Sequence, residues 1–223
     1  VRNMGELLKA NNFSELSETS SWTLKPGKYF VTRSQSSIIA FVLGRNAPES
    51  TGIRMVGAHT DSPCLKVKPQ PEILNHGYLQ LGVEVYGGVL LHPWFDRDLS
   101  IAGRITHTDK TGTICNTLVD LKDPIAIIPS LAIHLNREAN NSGAINPQTD
   151  IPPILLQSDD KTSFMDLICS KNNTINRDSI LSSDLSFYDT NPAKIIGANE
   201  EFLAGARLDN LLSCFTGLMS ILK

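Results

Sequence analysis

No pair of cysteines with the spacing of a metal knuckle occurs in this sequence. Its four cysteines, Cys64, Cys115, Cys169 and Cys214, are widely scattered. That pattern argues against a structural zinc site or a disulfide framework and makes a reducing compartment, the cytoplasm, the default expectation. A basic block is also lacking. With a net charge of -3, nothing favours a nucleic-acid partner or an anionic membrane. No apolar run approaches the length of a membrane span. The start, Val1-Arg2-Asn3-Met4-Gly5-Glu6, carries no signal-peptide pattern, and it does not begin with methionine, as expected if the native amino terminus lies upstream. There is no internal repeat and no low-complexity tract.

What is present centres on Arg54-Met55-Val56-Gly57-Ala58-His59-Thr60-Asp61-Ser62-Pro63. The apolar run of Ile53, Met55 and Val56 predicts a buried strand that delivers His59 and Asp61 at its carboxyl end. Ligands bind at that end in an open α/β sheet. Residues two apart on a strand share a side, so both side chains can face one site. His59 can bind a metal through one ring nitrogen while a carboxylate receives the other N–H and fixes the tautomer. The plain alternative is a strand-end histidine capped by a local aspartate. Cys64 nearby raises the further option of a catalytic thiol, against which no second histidine stands in a partnering segment.

The rest of the chain reads as mixed α/β. A short amphipathic helix is expected over 5–13, paired strands over 28–33 and 37–43, and a half-exposed strand over 65–68. Another alternating strand covers 78–86. Strand signals then recur at 99–105, 113–121, 125–128, 154–156 and 183–189, with helices at 130–139 and 162–171. These predict an α/β domain, 1–92 and 198–223, interrupted by an inserted β-rich module over 93–197. Asp96 and Asp98 alternate with Arg97 and read as an ion-pair network at the domain junction. A final apolar helix, 211–222, follows Asp209. An aspartate there is an ordinary N-cap by itself. His134 lies in the apolar Leu131-Ala132-Ile133-His134-Leu135, where a core histidine is the plain reading. His76 and His107 receive no role, and His92 is ambiguous.

Four ordered segments carry a family resemblance. They are Gly57-Ala58-His59-Thr60-Asp61-Ser62-Pro63-Cys64-Leu65-Lys66-Val67-Lys68, Gly82-Val83-Glu84-Val85-Tyr86-Gly87-Gly88, Trp94-Phe95-Asp96-Arg97-Asp98-Leu99 and Arg207-Leu208-Asp209-Asn210-Leu211. Together they resemble the aspartyl aminopeptidase family, which includes the fungal vacuolar aminopeptidase. The resemblance implies a metallopeptidase catalytic domain with an inserted dimerisation domain. It implies two divalent ions, Zn²⁺ first among the candidates, with His59 a ligand of one and Asp209 bridging both; a carboxylate can span a metal pair. Asp61 is then the catalytic residue that orients His59. His134 is implied to reach the partner subunit's active site and bind substrate. The implied assembly is a homo-oligomer of dimers, a dodecamer in the family. The implied substrate is the amino-terminal residue of a peptide, acidic (Asp or Glu) on the aspartyl branch and neutral apolar on the vacuolar branch. A vacuolar location is the alternative to the cytoplasm. Glu200-Glu201 precedes Asp209, whereas the family's Glu-Glu pair follows its aspartate; the pair here reads as solvated. The family's catalytic glutamate, its neighbouring ligand, a further acidic ligand and a last histidine ligand are therefore expected beyond Lys223. A chain without them would be a non-catalytic oligomerisation scaffold, the competing expectation.

Overall fold

The computed structural model describes residues 1–141, 143–157, 163–172 and 174–223. In chain order the elements are helix α1 (Arg2–Ala10), strands β1 (Ser14–Leu16), β2 (Gly27–Arg33) and β3 (Ser37–Leu43), and the single turn α2 (Pro48–Thr51). Strands β4 (Cys64–Asn75), β5 (Tyr78–Tyr86), β6 (Leu99–Thr108), β7 (Ile114–Asp120) and β8 (Ile154–Gln157) follow, then helix α3 (Phe164–Ser170). The chain ends with β9 (Ile180–Asp189), β10 (Lys194–Ile196), β11 (Phe202–Ala204) and helix α4 (Leu208–Leu222). Two compact units result: residues 1–62 with 207–223, and residues 63–206.

The first unit is built on a three-stranded sheet, β1-β2-β3, with β1 parallel and β3 antiparallel to β2. The β2–β3 hairpin turns through Ser34 and Gln35, both at positive φ, the backbone that matches the right-handed twist of paired strands. Its core joins Leu8 of α1, Phe13, Phe30 of β2 and Leu218 of α4, with Ile38, Ala40 and Ile221 against them. Leu8 recurs on the inward face of α1 with Gly5, the spacing that the amphipathic pattern predicts.

The segment 53–56 differs from its expectation. It is no strand, and Ile53, Met55 and Val56 are 76%, 85% and 77% exposed. A continuous apolar run is stable as a strand only between two neighbours with both faces covered. No strand of the three-stranded sheet pairs with it. Its apolar character was legible in the sequence, but among the described residues no strand pairs with it.

The second unit is a six-stranded antiparallel sheet in the order β7-β6-β9-β4-β5-β8. Leu65, Leu81, Ile101, Ile105, Leu185 and Phe187 from its strands form one core with Phe164 and Ile168 of α3. The α3 amino terminus is held by Glu72, whose Oε1 accepts from the Phe164 N–H at 2.6 Å. Thr162, where the sequence reading started this helix, lies outside the described residues. Gly103 is required where β6 crosses β9, because a Cβ there would stand 2.1 Å from the Asp184 carbonyl oxygen. Strands β10 and β11 form a separate antiparallel ribbon.

The β-rich unit thus begins at Pro63 and ends at Ala206, wider than the expected 93–197. The reason is pairing: β4 bonds to β9 and β5 to β8, so the hairpin before residue 93 belongs to the later sheet. Residues 130–139 form turns rather than the expected helix. Leu135 N–H bonds to the Ala132 carbonyl at 2.8 Å, and Leu131, Ile133 and Leu135 are exposed. Local apolar spacing there had no packing surface to make a helix worthwhile. The Asp96-Arg97-Asp98 segment is held in part as expected. Arg97 pairs with Asp189 at 3.7 Å, but Asp96 instead accepts the Ser130 N–H at 2.9 Å. Hydrogen bonds from Ser130 hold the Asp96 carboxyl below its ordinary pKa.

Candidate functional site

His59 lies in the irregular loop 53–62 of the first unit, and Asp209 stands at the entry to α4 in the same unit. The ring is bracketed by carboxylates. Its Nδ1 is 3.0 Å from the Asp61 carbonyl oxygen and 3.4 Å from the Asp61 carboxylate. Its Nε2 is 3.8 Å from Oδ1 of Asp209. Asp61 therefore engages Nδ1 first through its main chain and second through its side chain. That arrangement favours the tautomer with the proton on Nδ1 and a lone pair on Nε2 facing Asp209.

Asp209 is not the N-cap that its position before an apolar run suggests. Among the described residues no main-chain N–H of α4 donates to the Asp209 carboxylate; the Leu211 N–H bonds to the Arg207 carbonyl instead, at 3.3 Å. Asp209 and Asn210 have non-helical dihedrals, and the peptide bond between them is cis. The Asp209 side chain is 91% exposed, so its carboxylate is not consumed by the helix end.

The donor chemistry fits a zinc ion. Bonds of about 2.0–2.2 Å to nitrogen and oxygen place two ligands about 3.3–3.6 Å apart in a tetrahedron. The 3.8 Å between Nε2 and Oδ1 is slightly wider than that. These are two donors only. Among the described residues no group of three or more His, Cys, Asp or Glu side chains is placed to hold an ion.

The main chain around these donors is tied by side chains that the sequence reading did not single out. Asn210 Oδ1 accepts the His59 N–H at 3.2 Å, and the Cys214 thiol donates to the His59 carbonyl at 3.2 Å. Ser62 Oγ donates to the Asp209 carbonyl at 3.3 Å, and Thr60 Oγ1 to the Ser36 carbonyl at 2.9 Å. The four-residue spacing of Asn210 and Cys214 was visible in sequence. Nothing in sequence linked them to a histidine some 150 positions earlier.

The other candidates lie in the second unit. His134 is exposed within the apolar turn 131–135, so it is not a core histidine. His107 is one: it is buried on β6, with Nε2 2.9 Å from Thr117 Oγ1. Glu200 and Glu201 are exposed in the turn between β10 and β11, where Glu201 accepts the Asn199 N–H at 2.8 Å.

Comparison with known proteins places these residues in context. The chain is 56% identical over 225 aligned residues to a probable M18 family aminopeptidase 2 of Pseudomonas fluorescens (strain SBW25), covering 98% of this chain and 52% of that protein. It superposes on the structure of Chaetomium thermophilum mApe1 with a TM-score of 0.86 at 33% identity, covering 99% of this chain and 54% of that one. It superposes on the S. cerevisiae mApe1 dodecamer with a TM-score of 0.78 at 27% identity, covering 99% and 51%. The chain thus spans about half the length of the curated relatives it matches. The profile described as aminopeptidase I zinc metalloprotease (M18) matches residues 1–223, and the chain belongs to that family.

Proposed function

We propose that the polypeptide to which these residues belong is a zinc-dependent aminopeptidase. It removes the amino-terminal residue of peptides, with a preference for Asp or Glu, at a site of two metal ions. The observation that carries this reading is the placement of His59 between Asp61 and Asp209, with Nε2 3.8 Å from the Asp209 carboxylate.

When bound, zinc supplies a Lewis acid and a water of lowered pKa. His59 offers Nε2 as the ligand to one ion. Asp61 holds the Nδ1 proton and keeps the ring in that tautomer. Asp209 offers two carboxylate oxygens, enough to bridge two ions. His134, exposed on its turn, binds the peptide in the partner subunit's site. On the family pattern the group that would accept a proton from water is a glutamate outside these residues, and Glu201 here accepts the Asn199 main-chain N–H. The dodecamer named for the yeast neighbour supports a homo-oligomer of dimers here.

The deciding experiment measures zinc content and hydrolysis of amino-terminal Asp, Glu and Leu substrates by the full polypeptide. Two zinc ions and fastest release of Asp or Glu are expected. Fastest release of Leu would move the specificity to the neutral branch. Zinc-free protein with no turnover on any of the three would leave the scaffold. A polypeptide of these 223 residues alone is expected to be inactive. Activity abolished there by Glu200→Gln would show that the Glu200-Glu201 pair is the catalytic one.

A further inference from the structure

The loop 53–62 and helix α4 run beside each other in opposite directions. Gly217 lies against Val56, where an added Cβ would stand 3.6 Å from Cγ1. His59 meets Cys214 and Asn210, and Ser62 meets Asp209. The loop belongs to no strand, so no sheet ladder fixes it. Yet both main-chain polar groups of His59 are engaged by side chains of one helix: the N–H by Asn210 and the C=O by Cys214. Asn210 stands at the non-helical entry to α4 and Cys214 lies in the regular turns that follow, and the two reach the same residue from there. Cys214 is only 8% exposed, so its thiol donates away from competing water. The His59 ring itself is half exposed, so packing does not fix where it stands. Its main chain does.

We propose that Asn210 and Cys214 are positioning residues for the metal centre. They clamp the main chain of His59 to α4 and thereby hold Nε2 at its working distance from the Asp209 carboxylate. Asn210 is joined to Asp209 by one peptide bond, so its bond to His59 ties the two metal donors almost directly. The proposal rests on the metal-site reading of His59 and Asp209. It predicts that geometry, not chemistry, is lost when the clamp is cut, because both side chains bond to the His59 main chain rather than to its ring.

The test uses the full polypeptide with Zn²⁺ as the probe. Zinc affinity is measured by competition with a chromophoric chelator, amide exchange at His59 by hydrogen–deuterium exchange, and kcat and KM on the preferred substrate. Cys214→Val fills the same space without a donor; Cys214→Ser keeps a donor. Removing an outer partner of a ligand typically costs about 10–100-fold in metal affinity or activity. Cys214→Val and Asn210→Ala are each expected to weaken zinc binding by about tenfold or more, with kcat falling and KM little changed. Asn210→Ala should also speed exchange of the His59 amide, and Cys214→Ser should recover most of the affinity lost in Cys214→Val. Should Cys214→Val fail to fold, Asn210→Ala at its half-buried position decides the question. The proposal is overturned if the folded variants bind zinc as the wild type does, or if serine recovers nothing over valine. His59→Ala serves as the control. If wild type binds zinc no better than His59→Ala, the metal reading fails and takes the clamp with it. If wild type binds tightly and the clamp variants do too, only the clamp fails.

Discussion

The six-stranded sheet of residues 63–206 closes over a cluster of sixteen buried apolar residues among those described, whereas the unit of residues 1–62 and 207–223 closes over a cluster of four. The smaller unit leaves much of its apolar surface open, on β3 at Ile39 and Val42, on the loop at Met55, and on α4 at Leu212 and Phe215. His59 and Asp209, the proposed metal donors, sit in this less closed unit. The comparison separates two ways of holding a segment in place. In the larger unit the strands hold one another through ladders and packing. In the smaller one, the His59 loop is held by individual side-chain bonds to α4 and to Ser36.

The largest expected effect tests whether the donors in the open unit are chemical rather than structural. His59→Ala in the full polypeptide should lose one metal ion and nearly all activity with little change in stability. Full two-ion occupancy with normal turnover would remove His59 from the ligand set. Asp61→Asn should retain more metal than His59→Ala but still slow turnover, because it alters the partner of the ring rather than the ligand.

A contrast in stability follows. Phe187→Ala, at a fully buried position of the larger core, should destabilise that unit by about 3–5 kcal/mol. Phe215→Ala, on the open face of α4, should stay within about 0.5 kcal/mol in the 223-residue chain. Urea melts can separate the two units because each has one tryptophan, Trp22 and Trp94. The transition seen by Trp22 is expected at lower urea. Coincident transitions would break the comparison.

His134→Phe gives a smaller effect. It should keep the dimer and the metals while lowering kcat/KM about tenfold, a loss of about 1.4 kcal/mol of transition-state stabilisation. Mixing His59→Ala with His134→Phe subunits under exchange should restore one working site per mixed dimer, since two-fold symmetry gives each site a visitor from the other chain. No recovery, with dimers intact, would confine His134 to its own subunit.

The smallest effect concerns pH. Hydrogen bonds from Ser130 favour the ionised form of Asp96 and depress its pKa. The stability this gives the larger unit is therefore whole above the ordinary carboxylate value, roughly 3.9, and is lost as pH falls through the lowered folded value. Asp96→Asn should remove that acid-side loss, and asparagine tolerates the positive φ of 56° found there. Unchanged acid unfolding in the variant would show that the bond contributes nothing measurable.

Much of the larger unit was legible because its strands alternate. Leu65 and Val67 face inward between Lys66 and Lys68, and Lys66 pairs with Asp184 on the outer face. The period of two is a local property, so it survives without knowledge of the partner strand. Pairing is not local, which is why the hairpin before residue 93 was assigned to the wrong unit. The turn at 131–135 shows the same limit from the other side: apolar spacing specifies a helix only if a surface exists to bury it.

By itself, the sequence determined the mixed α/β class, the inward faces of β4, β6 and β9, and, through the ordered motifs around His59 and Asp209, the family. These depend on residue types at short spacing. Only the tertiary structure decided that His59 stands in an exposed loop rather than on a buried strand, that Asp209 leaves its carboxylate free instead of capping α4, and that Asn210 and Cys214 grip the His59 main chain. The last of these is a pair of contacts across 151 and 155 residues of chain. Such contacts are fixed by which surfaces meet on folding, and no local pattern of side chains records them.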